Sequence, residues 1–429
     1  MLIRTKQPDI QELKNINLIT PQRKNLPNGV PLYIINAGIQ DVVRIDIIIS
    51  GGKWNQFKEL QALLTNRMLR EGTKTYMGSV ISEKLDYYGA WLELSCSAQH
   101  SYLSLYSLNK YLPQTVRILE SILKEPTFPE KEFQIVMSNN LQEFLVEKDK
   151  VTYISRNGLL RALYGENHPQ GKNIQVADFT SILPDDLHDF YERYYSSDNF
   201  TIFLSGKITP EVEKIVTYSF GYSSFGNSLY KSVDTDFPIM KDTEKRIFIN
   251  RDDALQSAVY MGNLTISRHH QDFKKLRVLI TLFGGYFGSR LMSNIREDKG
   301  YTYDISANII SYPDSGMIRI SSETSNEYVE PLIREVYHEI DVLQEDLVSD
   351  DELIMVRNYM IGNLCRSCES AFSLANLWQF VYTQGLKDSY FNDLLQSIRE
   401  VTPEELRKLA RTYLCKNILK EVVTGKKSS

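Results

Sequence analysis

A chain of 429 residues with 42% hydrophobic content can bury a large core and divide into more than one domain. Its net charge of -5 arises from 54 acidic and 49 basic residues mixed along the chain, with no basic stripe for nucleic acid and no charge block for a membrane surface. No apolar run approaches the roughly 20 residues that cross a bilayer, and Met1 to Asp9 lacks the apolar core and cleavage site of a signal peptide, so a cytoplasmic protein is expected.

Pro31 to Ser50 reads as a strand, a turn at Asn36-Ala37-Gly38 and a second alternating strand. Phe57 to Glu71 places Leu60, Leu63, Leu64 and Met68 on one face, with Gly72 as a stop, and predicts an amphipathic helix on a sheet. Leu92 to Tyr106 alternates over two strands, and Pro113 to Glu125 and Glu130 to Glu147 supply helices. Gly221 to Glu244, with Ser223 to Ser228 at its start, has little periodic apolar content and reads as a linker. Beyond it, Arg246 to Leu264 repeats the strand, turn, strand pattern, with its turn at Asn250 to Asp253.

The four cysteines, Cys96, Cys365, Cys368 and Cys415, are too few and scattered for a disulfide framework. Cys365-x-x-Cys368 falls in a predicted long helix from Asp350 to Gln379, with no second pair or nearby histidine to complete a zinc site. The six histidines contain no i, i+3 or i, i+4 pair, and the adjacent His269 and His270 read as surface residues.

An internal repeat organises the chain. Pro184-Asp185-Asp186-Leu187 to Tyr195 aligns without gaps with Pro403-Glu404-Glu405-Leu406 to Leu414, at a constant offset of 219 residues. In both copies proline and two acids suit the first turn of a helix. The following strand carries the same offset: Phe200 to Gly206 matches Leu419 to Gly425. The expected fold is α+β, with two homologous repeats in residues 1–220 and 245–429, each a mixed or antiparallel sheet covered by helices, joined by a linker over 221–244.

Glu59 to Thr73, ELQALLTNRMLREGT, resembles the stretch of pitrilysin/insulinase zinc peptidases in which an inverted motif, H-x-x-E-H, precedes Met-Leu and Gly-Thr. Met68, Leu69, Gly72 and Thr73 stand in register, and the resemblance continues through Gly89-Ala90-Trp91, His168 to Gly171, Ser289-Arg290-Leu291 and Arg296 to Tyr303. Such a metal site needs three protein ligands and an open position for water. Here Leu63 and Arg67 stand at the histidine positions and Asn66 at the general base. The distal glutamate aligns with Asn140, with Glu143 competing for the position. Leucine cannot ligate and arginine repels a dication. The resemblance therefore implies no metal and no cofactor in this chain, and no catalysis by it alone.

Arg296 and Tyr303, seven residues apart, have the spacing of a pair that in active relatives holds substrate carbonyls and donates to the oxyanion. From the residues alone, the simpler reading is that Arg296 caps a helix or pairs with Glu297 or Asp298 while Tyr303 packs in a strand. The resemblance implies a non-catalytic subunit that pairs with a catalytic homologue, as a heterodimer whose partner holds the zinc, or else with itself as a homodimer. Its ligand is a peptide, and Gly89, Ala90, Trp91 and Leu92 open the strand that pairs with extended substrate in relatives. Bulky Trp91 and Leu92 are expected to narrow that groove. The competing readings are a purely structural assembly protein and a self-sufficient hydrolase with unrecognised ligands.

Overall fold

The computed structural model describes residues 18–226, 237–313 and 315–427. The predicted start, Met1 to Asp9, and the linker positions Asn227 and Ser228 lie outside the described residues. The first sheet contains β1 (Gln22–Asn25), β2 (Pro31–Asn36), β3 (Val42–Ser50), β4 (Trp91–Cys96), β5 (His100–Leu108) and β6 (Phe200–Gly206), in the order β1-β2-β6-β3-β5-β4. The second contains β7 (Arg246–Asn250), β8 (Gln256–Thr265), β9 (Thr302–Ser311), β10 (Gly316–Ser325) and β11 (Lys420–Gly425), in the order β7-β11-β8-β10-β9.

The two orders are the same apart from β1, as the repeat requires. In both sheets the strand that closes the repeat runs parallel to the opening one, β2 with β6 and β7 with β11, while the other pairs are antiparallel. The α+β class and its mixed sheets follow. The aligned helices are Pro184–Tyr194 and Pro403–Tyr413. In both, the residue before the helix donates its amide to a carboxylate in the first turn, Leu183 to Asp186 at 2.8 Å and Thr402 to Glu405 at 3.1 Å, and only Thr402 completes a reciprocal cap, its hydroxyl accepting from the Glu405 amide at 3.3 Å. The Thr402 hydroxyl cap contributes about 1 kcal/mol to holding its helix start.

Central strand β3 is buried from Val43 to Ile49, because helices cover both faces of its sheet. One of these helices comes from the other repeat. Helix Ala371–Thr383 packs on β2 and β6, and helix Val151–Tyr164, from the first repeat, packs on β8 and β11. Packing therefore crosses the division that chain order draws at 221–244. Ile35, Ile48 and Phe203 of the first sheet share one core with Trp378 and Val381, so neither sheet keeps its apolar face covered without the other half.

The two exchanged contacts differ in chemistry. Helix Val151–Tyr164 meets its sheet through Leu159, Leu163, Tyr164, Met317 and Val422. Helix Ala371–Thr383 instead adds amides to a buried ion pair. Arg44 bonds Asp46 at 2.8 Å and donates to Asn376 at 2.8 Å, while Gln379 and Ser104 donate to Asp46 at 2.6 and 2.5 Å. Arg44 also lies over the Tyr106 and Phe372 rings.

Two sequence expectations need correction. The predicted helix from Phe57 is shorter, Gln61–Met68, because Leu60 adopts φ 71°, a left-handed conformation that a helix cannot enter. The predicted helix Asp350 to Gln379 is two helices, Asp350–Arg366 and Ala371–Thr383. The Ser370 hydroxyl caps the second by accepting from the Ser373 amide at 3.0 Å, so Cys368 sits in the turn, where its thiol contacts the Leu364 carbonyl at 3.2 Å.

Candidate functional site

Helix Gln61–Met68 packs against β4, the edge strand of the first sheet, and against helix Pro184–Tyr194. Leu64 and Met68 are fully buried in the core, as the spacing predicts. The start of the helix is fixed by polar contacts. Gln61 donates to the Asp186 carbonyl at 2.7 Å and accepts from the Phe57 amide at 2.9 Å, and Lys58 pairs with Asp186 at 2.8 Å.

The four positions that the resemblance aligns with the zinc motif, Leu63, Asn66, Arg67 and Asn140, take three different environments. Leu63 is partly buried against the core. Asn66 is completely buried, donating to the Tyr102 carbonyl at 3.3 Å and the Tyr195 hydroxyl at 3.4 Å, while its own carbonyl oxygen has no partner among the described residues. It faces the interior and not a metal position. Burial raises the pKa of the Tyr195 hydroxyl beside it, which keeps that group a neutral hydrogen-bond partner. Arg67 reaches across to the helix Glu130–Glu147, where it donates to the Asn140 side-chain oxygen and stands 4.0 Å from Glu143. The structure thus brings Arg67, Asn140 and Glu143 together and turns Asn66 away. Among the described residues no group of three or more His, Cys, Asp or Glu side chains is placed to hold a metal ion.

Strand β4 has one free edge. Gly89 turns the chain into it at φ 60°, Ala90 is buried, and Trp91 is 63% exposed with its indole N–H 3.1 Å from Glu93. Leu92 points into the core, on the face opposite Trp91, because side chains alternate along a strand.

In the second half, β9 is an edge strand, and Tyr303 on it is 84% exposed. The preceding π-helix, Met292–Asp298, presents Arg296 with its guanidinium 5.0 Å from the Tyr303 ring and 4.6 Å from the Phe287 ring. A π-helical turn is rare and marks a backbone held by its surroundings. Those surroundings are charged: Arg290 forms two bonds to Glu352 at 2.7 and 2.9 Å, Asn294 donates to Glu339 at 2.6 Å, and Lys299 pairs with Glu335 at 3.2 Å. Arg296 forms no ion pair with Glu297 or Asp298 among the described residues. Phe287 and Glu352 had no signal in the sequence, since their partners are fixed by loop and helix packing. No hydrogen bond or ion pair among the described residues joins the β4 and β9 corners to one another.

Two repeats of this topology, with a helix laid on the edge strand of the first sheet, define a two-domain peptidase-like fold. An insulinase model of peptidase family M16 matches residues 34–170, and a model described as the peptidase M16 inactive domain matches residues 181–360. This chain belongs to peptidase family M16. A Bacillus subtilis protein called an uncharacterized zinc protease, YmxG, is 26% identical over 356 residues, 82% of this chain and 85% of that protein. A Helicobacter pylori protein called a non-peptidase homolog is 21% identical over 361 residues, 82% of this chain and 81% of its own length. The crystal structure of a peptidase M16 inactive domain from Pseudomonas fluorescens has the same fold, with TM-score 0.84 and 21% identity over 96% of this chain and 99% of that one. Relatives thus carry both peptidase and non-peptidase names, and the inactive-domain match fits a non-catalytic member. Among the described residues no helix is long and apolar enough to cross a membrane.

Proposed function

We propose that this chain is a cytoplasmic, non-catalytic subunit that pairs with an M16 homologue bearing an intact H-x-x-E-H motif. In this reading the zinc belongs to the partner, where it would polarise the scissile carbonyl and activate water. This chain supplies Arg296 to hold peptide carbonyls and the Tyr303 hydroxyl to donate to the developing oxyanion. What supports the reading is the placement of Tyr303 on an exposed edge strand with the Arg296 guanidinium against its ring. A tyrosine that served only packing would be expected to bury its ring.

The test is turnover by the co-purified pair. Tyr303→Phe is expected to lower kcat by about 10²–10³-fold, the usual effect of losing one oxyanion donor, with the chain still folded and the pair intact. Unchanged turnover sinks the role of Tyr303. Metal analysis of the isolated chain is expected to find no stoichiometric zinc, and one zinc per chain would instead favour a self-sufficient hydrolase. A chain that copurifies in a complex without any peptidase activity points to the assembly role.

A further inference from the structure

We infer that a groove between helices Phe273–Gly284, Asp350–Arg366 and Tyr390–Glu400 of the second half binds a medium-chain fatty acid, with Arg277 holding its carboxylate and an apolar floor taking its chain. The inference stands apart from the pairing reading and uses neither Tyr303 nor the positions aligned with the zinc motif. The three helices pack on one another and leave a cavity of about 390 Å³ between them. Each lines it with one stripe. Arg277, Thr281 and Gly285 follow at intervals of four on the first, Phe391, Leu394 and Ile398 at helical spacing on the third, and Met360 and Leu364 on the second. All five of these large apolar side chains are at most 7% exposed, so the floor is apolar and deep.

Among the described residues Arg277 is the one charged side chain in that lining, and it is half-buried with no hydrogen bond or ion pair of its own. The nearby carboxylates are already engaged, Asp393 by Lys274 and Glu405 by Lys275. Two further arginines around the groove have carbonyl partners and no carboxylate among the described residues. Arg357 donates to the Ile398 and Val401 carbonyls at 3.1 and 2.6 Å, and Arg268 to the Ser311 carbonyl at 3.0 Å, with its Nε buried and unpaired. Burial lowers the Arg268 pKa, and the like charge of Arg277 lowers it further. The region therefore carries uncompensated positive charge beside an apolar floor. A forked guanidinium fits a carboxylate, held by two parallel hydrogen bonds. A peptide fits the rest of the groove poorly, because the helices use their backbone groups internally and buried amides would find no partners. An alkyl chain has no such need. From Arg277 to Gly285 the groove runs eight residues along one helix, about 12 Å, and the stacked Tyr286 and Tyr359 rings stand at that far end. A chain of about ten carbons fits a site of this size, which lies within the usual range for small ligands.

The experiment is calorimetric titration of the full chain with decanoate, hexanoate and decanol, each below the concentration at which it forms micelles. Decanoate is expected to bind at least about 10-fold more tightly than decanol, as a charge-assisted hydrogen bond requires. Affinity should fall about 4-fold for each methylene removed towards hexanoate. Arg277→Gln abolishes the preference for the acid over the alcohol and leaves decanol binding in place, and Arg277→Lys retains part of it. Because Arg277 has no partner to lose, Arg277→Gln should unfold at the same temperature as the parent chain. Thr281→Phe, which fills the middle of the groove, weakens decanoate more than hexanoate. No binding of decanoate at millimolar concentration, equal binding of acid and alcohol, a preference retained in Arg277→Gln, or affinity independent of chain length overturns the inference. Tighter binding of acetyl-Ala-Ala-Leu-Phe as the free acid than of decanoate also overturns it, in favour of a peptide C-terminus.

Discussion

Beside β4, Asn66 is sealed in the core and Arg67 is tied to Asn140, whereas beside β9, Tyr303 stands 84% exposed with Arg296 against its ring. Each strand is one of the two edges of its sheet, and the two occupy equivalent places in the same strand order. The difference shows that duplication preserves topology through the buried faces, while the residues at the edges diverge because few contacts constrain them. The exchanged helices diverge in the same way, one adding amides to a buried ion pair and the other combining apolar packing with the Ser155 hydroxyl bonded to Thr424 and the Ala258 carbonyl.

Restoring ligands to the first corner is the strongest way to break this contrast. Leu63→His, Arg67→His and Asn140→Glu together are expected to raise zinc content, measured by metal analysis, from none to about one equivalent per chain, since three ligands and an open position make a site. A folded variant without zinc would show that the helix no longer holds ligand geometry. The contrast between the exchanged helices is sharpened by Asp46→Ala, which leaves Arg44 buried without its counter-ion. A loss of about 3–5 kcal/mol is expected in denaturant unfolding, and a loss below 1 kcal/mol would mean the amides of Asn376 and Gln379 suffice.

Smaller effects separate the corners further. Arg290→Ala removes the two bonds that brace the π-helix and leaves Glu352 largely buried, and should cost about 2 kcal/mol. A neutral result would show that Asn294 and Lys299 hold the turn alone.

The first edge is also expected to be acid-sensitive. Burial at the start of β5 lowers the His100 pKa from 6.5 to about 4. Between those values the unfolded chain binds a proton that the folded imidazole refuses, so stability falls as pH drops from 6.5 towards 4, with a slope of up to about 1.4 kcal/mol per pH unit. His100→Gln should flatten that limb, and an unchanged pH profile would sink the assignment. Least of all, Trp91→Ala and Tyr303→Phe should each change stability by less than about 0.5 kcal/mol, because both side chains are exposed.

The repeat was legible because its signals are local: a proline, two acids and helical spacing mark Pro184–Tyr194 and Pro403–Tyr413 at one offset. The loss of ligands at Leu63 and Arg67 was legible for a simpler reason, since ligation depends on side-chain chemistry that no fold can supply. Local patterns failed at Leu60, whose left-handed backbone shortens the helix, and at Ser370, whose cap divides one apolar run into two helices. Nor could they show that Arg44 and Asp46 are buried within a strand, where Asn376 and Gln379 reach them from the other half. What the sequence determined by itself was the duplicated α+β plan and the lack of histidine and glutamate from Leu63 to Arg67. Tertiary structure decided that each sheet borrows a helix from the opposite repeat, that Asn66 faces inward, and that Arg67 and Arg296 find their neighbours. Those contacts join residues far apart in the chain, and side-chain direction and burial there are set only when the sheets and helices close on one another.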